Sequence, residues 1–210
     1  VGFNEAVWQA LSSSTLNNHT AKYYYQDEDG RGGVTATSPN YPITGYVIKK
    51  YNNPMDAWTG TGARHIQKAY PIIRYAEILL SYAEALNNLT GPHTVELDGQ
   101  PYTMSRDKEE IKKAFNQVRY RAGLPGLTAN QLNSTPEVQK QIERERMVEF
   151  LWENRRFYDV RRWGIYEETE QEPIRGMNPD GATKETYYQR VIPSSSSFLT
   201  RVVDKRSVWV

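Results

Sequence analysis

The sequence predicts a mainly α chain, a series of amphipathic helices packed against a loop-rich part with a few short strands. Three observations predict it. Apolar residues recur at helical spacing in three segments between Pro71 and Gly164. Those segments carry residues suited to starting and stopping helices. The flanking stretches, among them "SSSTLNNHT", "SPNYPITG", "MNPDGAT" and "PSSSSF", have the chemistry of turns and loops.

Residues 1–66 read as a loop-rich, aromatic-rich segment in which "GYVIKKY" (45–51) alternates as a short strand. The helical part spans 67–164. Its first helix is "PIIRYAEILLSYAEALNN", where Ile72, Ala76, Leu79, Ala83 and Leu86 form one stripe, widened by Ile73 and Leu80. Pro71 suits its start. A hairpin insertion follows near 94–103, two extended runs around Asp98-Gly99. The second helix, "DKEEIKKAFNQVRYRA", starts on a capping box of Asp107 with Glu110 and stops at Gly123 before Pro125. The third takes Thr135 as N-cap and Pro136 in its first turn, then runs through Val138 and Ile142. Residues 165–210 read as loops ending in a strand-like tail, "RSVWV".

Composition narrows the function. Lys and Arg number 26 against 25 acids, a net charge of +1, so the basic excess of a duplex-binding domain is missing. With no cysteine, disulfides, thiolate metal sites and a cysteine nucleophile are excluded. No run of 18 apolar residues is present. His19, His65 and His93 are scattered through loops without a zinc-binding spacing, and neither metal nor cofactor is expected. The chain opens on Val1 without a basic-then-apolar leader, and it reads as a fragment of a longer protein.

The stretch "ERERMVEFLWENRRFYDVRRWG" (143–164) carries six arginines, five acids and five large aromatics. It could grip phosphates, hold a pair of catalytic carboxylates, or pair its own charges inside the fold. Five acids among six arginines argue against the first. Nothing marks one acid as held neutral, as the second requires. At 100° per residue, Glu145, Arg146 and Glu149 share a side with Val138 and Ile142, which points to charges drawn inward. Buried ions must be paired. The expected structural pairs join Glu145 or Glu149 to one of Arg155, Arg156, Arg161 and Arg162. No catalytic residue is assigned.

"YPIIRYAEILLSYAEALN", "AFNQVRYRAGLPGL" and "IERERMVEFLWENRRFYDVRRWG", with the preceding "GYVIKKY", resemble the C-terminal part of the SusD/RagB family of surface glycan-binding lipoproteins. The resemblance covers residues 45–164. It implies tetratricopeptide-like helix pairs packed against a loop-rich portion, and a binding protein, not an enzyme. It further implies a place on the extracellular face of the outer membrane, through an N-terminal lipid anchor not present in this chain. The implied partners are a glycan and a SusC-like TonB-dependent transporter, with no nucleic acid.

The family motifs are scaffold motifs, so ligand residues are sought by chemistry alone. A sugar ring offers C–H groups to an aromatic face, and neighbouring polar side chains satisfy its hydroxyls. Two loops qualify: "KYYYQDEDGRGG", with Tyr23, Tyr24, Tyr25 and Asp27, and "NNPMDAWTGTGAR", with Asn53 and Trp58. Tyr75, Tyr82, Trp152 and Trp163 read as packing residues. A helical-repeat module that binds only protein explains the helices but leaves the aromatic loops without a role.

Overall fold

The computed structural model describes the backbone of residues 5–12 and 15–22, single positions between 44 and 56, and residues 62–178 and 183–191. It divides into two compact units, Val1–Ala69 with Ile165–Val210, and Tyr70–Gly164.

In the first unit β1 (Glu5–Ser12) pairs antiparallel with β2 (Thr15–Lys22), in a register that sets Leu11 against Leu16 and Glu5 against Lys22. The polar run "SSSTLNNHT", read as loop, therefore lies largely in a strand. Polarity is a poor guide here because a hairpin strand is held by its backbone ladder. Conversely, Tyr46 and Ile48 of "GYVIKKY" are exposed and outside any strand, and Tyr51 is left-handed at φ 64°.

In the second unit, α1 (Tyr75–Asn87) begins four residues after Pro71, with Arg74 at its N-cap position, so Ile72 and Ile73 lie outside the helix and are exposed. Ala76, Leu80, Ala83 and Leu86 are buried. Next, β3 (His93–Leu97) and β4 (Gln100–Met104) form the hairpin. Asp98 and Gly99, both left-handed at φ 52° and 72°, supply the turn that matches strand twist.

Helix α2 (Lys108–Arg121) starts on Asp107, whose carboxylate accepts from the backbone N–H groups of Glu109 and Glu110. The reciprocal half of the expected capping box is replaced by an ion pair of Glu110 with Lys113 at 3.3 Å. The end is a Schellman motif. Gly123 is left-handed, its N–H donates to the Tyr120 carbonyl, and Leu124 N–H donates to that of Arg119.

A four-residue helix not read from the sequence, α3 (Ala129–Leu132), is framed by a capping box of Thr128 with Gln131. Helix α4 (Thr135–Glu149) takes Ser134 as N-cap, one residue before the expected Thr135. It stops at Glu149. Left-handed Trp152 and Asn154 then reverse the chain into α5 (Arg155–Arg162), which Gly164 closes. Continuing along the chain, α6 (Tyr166–Glu170) and α7 (Lys184–Tyr187) belong to the first unit. There Gly176 bridges Val191 and passes so close to Thr44 that a Cβ would lie 2.6 Å from its carbonyl oxygen.

The core of the Tyr70–Gly164 unit joins α1, α2 and α4 through Leu80, Ala83, Ile111, Phe115, Val138 and Ile142, with Phe150 beneath the reversal. Asn87 ties their ends together. Its amide donates to the Thr135 carbonyl at 3.0 Å, and its oxygen accepts from Arg106.

Candidate functional site

The expected ligand residues lie in the first unit. Tyr23, Tyr24, Tyr25, Asp27 and Trp58 fall outside the described residues. Asn53 is half-buried, and its carbonyl accepts from the Asp56 N–H at 3.0 Å. Asp56 carries the local architecture: its carboxylate accepts from the Ile66 N–H at 2.8 Å and from the Lys68 ammonium. The Lys68 ammonium also donates to the Ile66 carbonyl at 3.0 Å. The bond from Lys68, then that from Ile66, hold the Asp56 carboxyl below its ordinary value. These bonds tie Asp56 to Ile66 and Lys68, ten and twelve residues further along the chain. Asp56 lies in the quoted loop, but its role as a tie was not read. An acid ten residues before its backbone partner gives no periodic signal.

The second unit holds the charges of 143–164, and their partners differ from those expected. Glu145, only 4% exposed, is bonded by Arg119 at 2.9 Å. Glu149 is bonded by Arg74 and, at 2.6 Å, by Arg121. Arg155 instead bonds Glu77 of α1 at 2.8 Å. Arg162 grips Glu84 with two parallel bonds of 2.5 and 2.8 Å. Arg161 lies over the Phe157 ring at 3.6 Å and donates to the Phe157 carbonyl. The reason is the reversal at 150–154, which directs α5 toward α1. The glutamates of α4 face α2 and the segment before α1.

At the centre Arg146, also 4% exposed, bonds both oxygens of buried Asp159, at 2.8 and 3.0 Å, and donates to the Ser81 hydroxyl. Arg162 adds a third bond to Asp159 at 3.0 Å. Arg74 donates to Glu153 at 2.8 Å, to Glu149 and to the Glu149 carbonyl. The guanidiniums of Arg74 and Arg146 both lie about 5 Å from the Phe150 ring centre, within cation–π range. Burial works against the charge of Arg74, and the bonds to Glu153 and Glu149 outweigh it, raising its pKa. For Glu84, burial likewise opposes ionisation. The bonds from Arg162 and Trp163 overcome it, so the carboxyl sits below its ordinary range.

Packing expectations for the rings need correction. Trp152 is 57% exposed because it sits on the reversal, not on a helix face, and Tyr75 and Tyr82 also point outward. Trp163 is half-buried, with its indole N–H on Glu84. Met147, Val148 and Leu151 are exposed, whereas Phe150 is buried.

A cleft of about 430 Å³ opens beside this network, lined in part by Glu77, Ser81, Asn88, Arg155, Tyr158 and Arg162. Its acids are matched by arginines, which keeps it close to neutral. Glu84 is held ionised, the opposite of what a general acid requires. Among the described residues no group of His, Asp and Glu could hold a metal ion, and no helix is long and apolar enough to cross a membrane.

The SusD family model matches residues 1–203. The chain is also similar to the crystal structure of a SusD-like protein from Bacteroides fragilis NCTC 9343, with a TM-score of 0.60 and 28% identity. That match covers 91% of this chain and 30% of the solved one. No curated protein matches.

Proposed function

This chain belongs to the SusD family, and on that premise we propose that it is part of a carbohydrate-binding protein of the bacterial cell surface. In this reading the protein is lipid-anchored on the outer face of the outer membrane. It captures oligosaccharides for a SusC-like, TonB-dependent transporter and carries out no catalysis. The observation that carries the proposal is the family match over nearly the whole chain.

Trp58 and Asn53 supply an aromatic face and an amide for sugar hydroxyls, and Tyr23, Tyr24, Tyr25 and Asp27 supply a second set.

The test is a glycan array on the full-length protein, repeated with Trp58→Ala and with Tyr23, Tyr24 and Tyr25 changed together to Ala. A bound glycan that loses at least about tenfold in affinity, roughly 1.4 kcal/mol, in one variant supports the reading. Binding to no glycan would refute it, and unchanged binding in both variants would move the site away from these loops.

A further inference from the structure

The cleft between α1 and α5 has bonding capacity that the ion-pair network does not use up. Three arginine–carboxylate pairs line it: Arg155–Glu77, Arg162–Glu84 and Arg146–Asp159. Donors remain on these walls. Arg162, its side chain 42% exposed, spends three of the five N–H groups of a guanidinium on Glu84 and Asp159. Ser81 accepts from Arg146 and keeps its O–H to give. Asn88, exposed at the end of α1, has a carboxamide with no hydrogen bond among the described residues. Tyr158 supplies an aromatic wall, its ring 51% exposed and held 5.2 Å from that of Phe157 at an angle of 79°.

These features select a class of ligand. The volume of about 430 Å³ falls within the ~300–1,000 Å³ of small-molecule sites. Each arginine of the wall already faces a carboxylate, so an anionic ligand would meet three acids and no unmatched guanidinium there. An uncharged polyol meets no such repulsion. The N–H, O–H and carboxamide groups satisfy its hydroxyls, and the Tyr158 ring takes its C–H face. The paired charges also hold the donors in place before a ligand arrives, which lowers the ordering cost of binding. A covering segment of polypeptide fits poorly, because Ala85 is the one aliphatic residue among those that line the cleft.

We propose that the α1–α5 cleft is a carbohydrate subsite for an uncharged sugar unit, with Tyr158 as its stacking face and Arg162, Ser81 and Asn88 as its hydrogen-bonding groups. It rests on the carbohydrate-binding reading above. It lies in the Tyr70–Gly164 unit, whereas the candidate loops belong to the other unit, so the two can be tested separately.

Titration calorimetry on the full-length protein tests it, with hexasaccharides of glucose, mannose, galactose or xylose beside hexagalacturonic acid. The variants are Tyr158→Ala, Tyr158→Phe and Asn88→Ala, all at exposed positions. The expected result is a neutral hexasaccharide whose affinity falls about fivefold or more in Tyr158→Ala. Its affinity should fall in Asn88→Ala as well and stay within about twofold in Tyr158→Phe, which keeps the ring. Binding that is equal in wild type and Tyr158→Ala overturns the proposal and leaves carbohydrate binding standing. Equal losses in Tyr158→Ala and Tyr158→Phe overturn it, because the ring would then not be the contact. Preference for hexagalacturonic acid overturns it in favour of an acidic sugar. Binding of none overturns it, and the glycan array separately decides the broader reading. A Tyr158→Cys variant of the full-length protein, labelled with a maleimide and read by mass spectrometry, should react in native buffer within about tenfold of its rate in urea. Labelling in urea alone would show the cleft filled by the rest of the protein and overturn the proposal.

Discussion

Replacing Asp159 with alanine leaves Arg146 buried without the carboxylate that it bonds directly. Three bonds disappear, two from Arg146 and one from Arg162. At about 1.5 kcal/mol for a bond to a charged group, the loss is about 4.5 kcal/mol. Breaking one partner of a buried pair costs ~3–5 kcal/mol. Arg162 is partly exposed and can recover water, whereas among the described residues buried Arg146 is left with a bond to Ser81, the Phe150 ring and the more distant charge of Glu84. The expected cost is therefore about 4 kcal/mol. Because the chain has two units, the readout should belong to this one. Hydrogen exchange at the amides of Leu80 and Ile142, followed through a urea series, reports it without assuming one cooperative transition. Glu109→Ala, which removes an exposed pair with Lys112 at 3.5 Å, is the control and should cost under about 0.5 kcal/mol. If Asp159→Ala cost no more than that control, the central pair would not be a buried structural pair.

Two further outcomes follow from the same geometry. Because the carboxyl of Glu84 is held below its ordinary 4.5, its contribution is full above that value and is lost as pH falls through the lower folded-state pKa. Exchange-based stability of the wild type should thus decline more steeply on acidification below about pH 4.5 than that of Glu84→Gln, and parallel profiles would contradict this. Phe150→Ala should cost ~3–5 kcal/mol and Trp152→Ala under about 1 kcal/mol, since one ring is buried between two guanidiniums and the other faces outward. Similar losses measured by the same exchange method would show that the rings are placed wrongly.

What could be read in advance depends on how far each signal reaches along the chain. The ends of α2 were legible because Asp107 and Gly123 act within four residues. The turn at Asp98-Gly99 was legible for the same reason. The side of α4 that carries Glu145 and Arg146 followed from their spacing with Val138 and Ile142. Partner identity did not follow. Arg74 meets Glu149 from 75 residues away, and Arg119 and Arg121 reach α4 from 26 and 28, whereas the expected pairs were sought within one chain reversal. A signal did exist: Arg74 is the lone cation in the apolar run "YPIIRYAEILL", which implies a buried partner. The place of the reversal, 150–154, is marked by neither Gly nor Pro, although Asn154 is a residue that tolerates the left-handed region. For the ligand loops, sequence could supply only chemistry, because rings on loops follow no period.

The buried arginines also bear on how this unit is assembled. An ion pair in the interior adds little net stability over apolar residues of the same volume, because desolvation offsets most of the attraction. A two-bond arginine–carboxylate contact does fix a mutual orientation, since both groups are planar and tolerate little sliding. Arg146–Asp159 and Arg162–Glu84 together set α5 against both α4 and α1. These contacts place α5 while Phe157 and Tyr158 remain exposed. If orientation is what the pairs contribute, Arg146→Met with Asp159→Leu should restore much of the stability lost in either single change. The same double change should loosen the α5 amides, seen as faster exchange at Val160 and Arg161. Full recovery of both would show that the charges act only through burial.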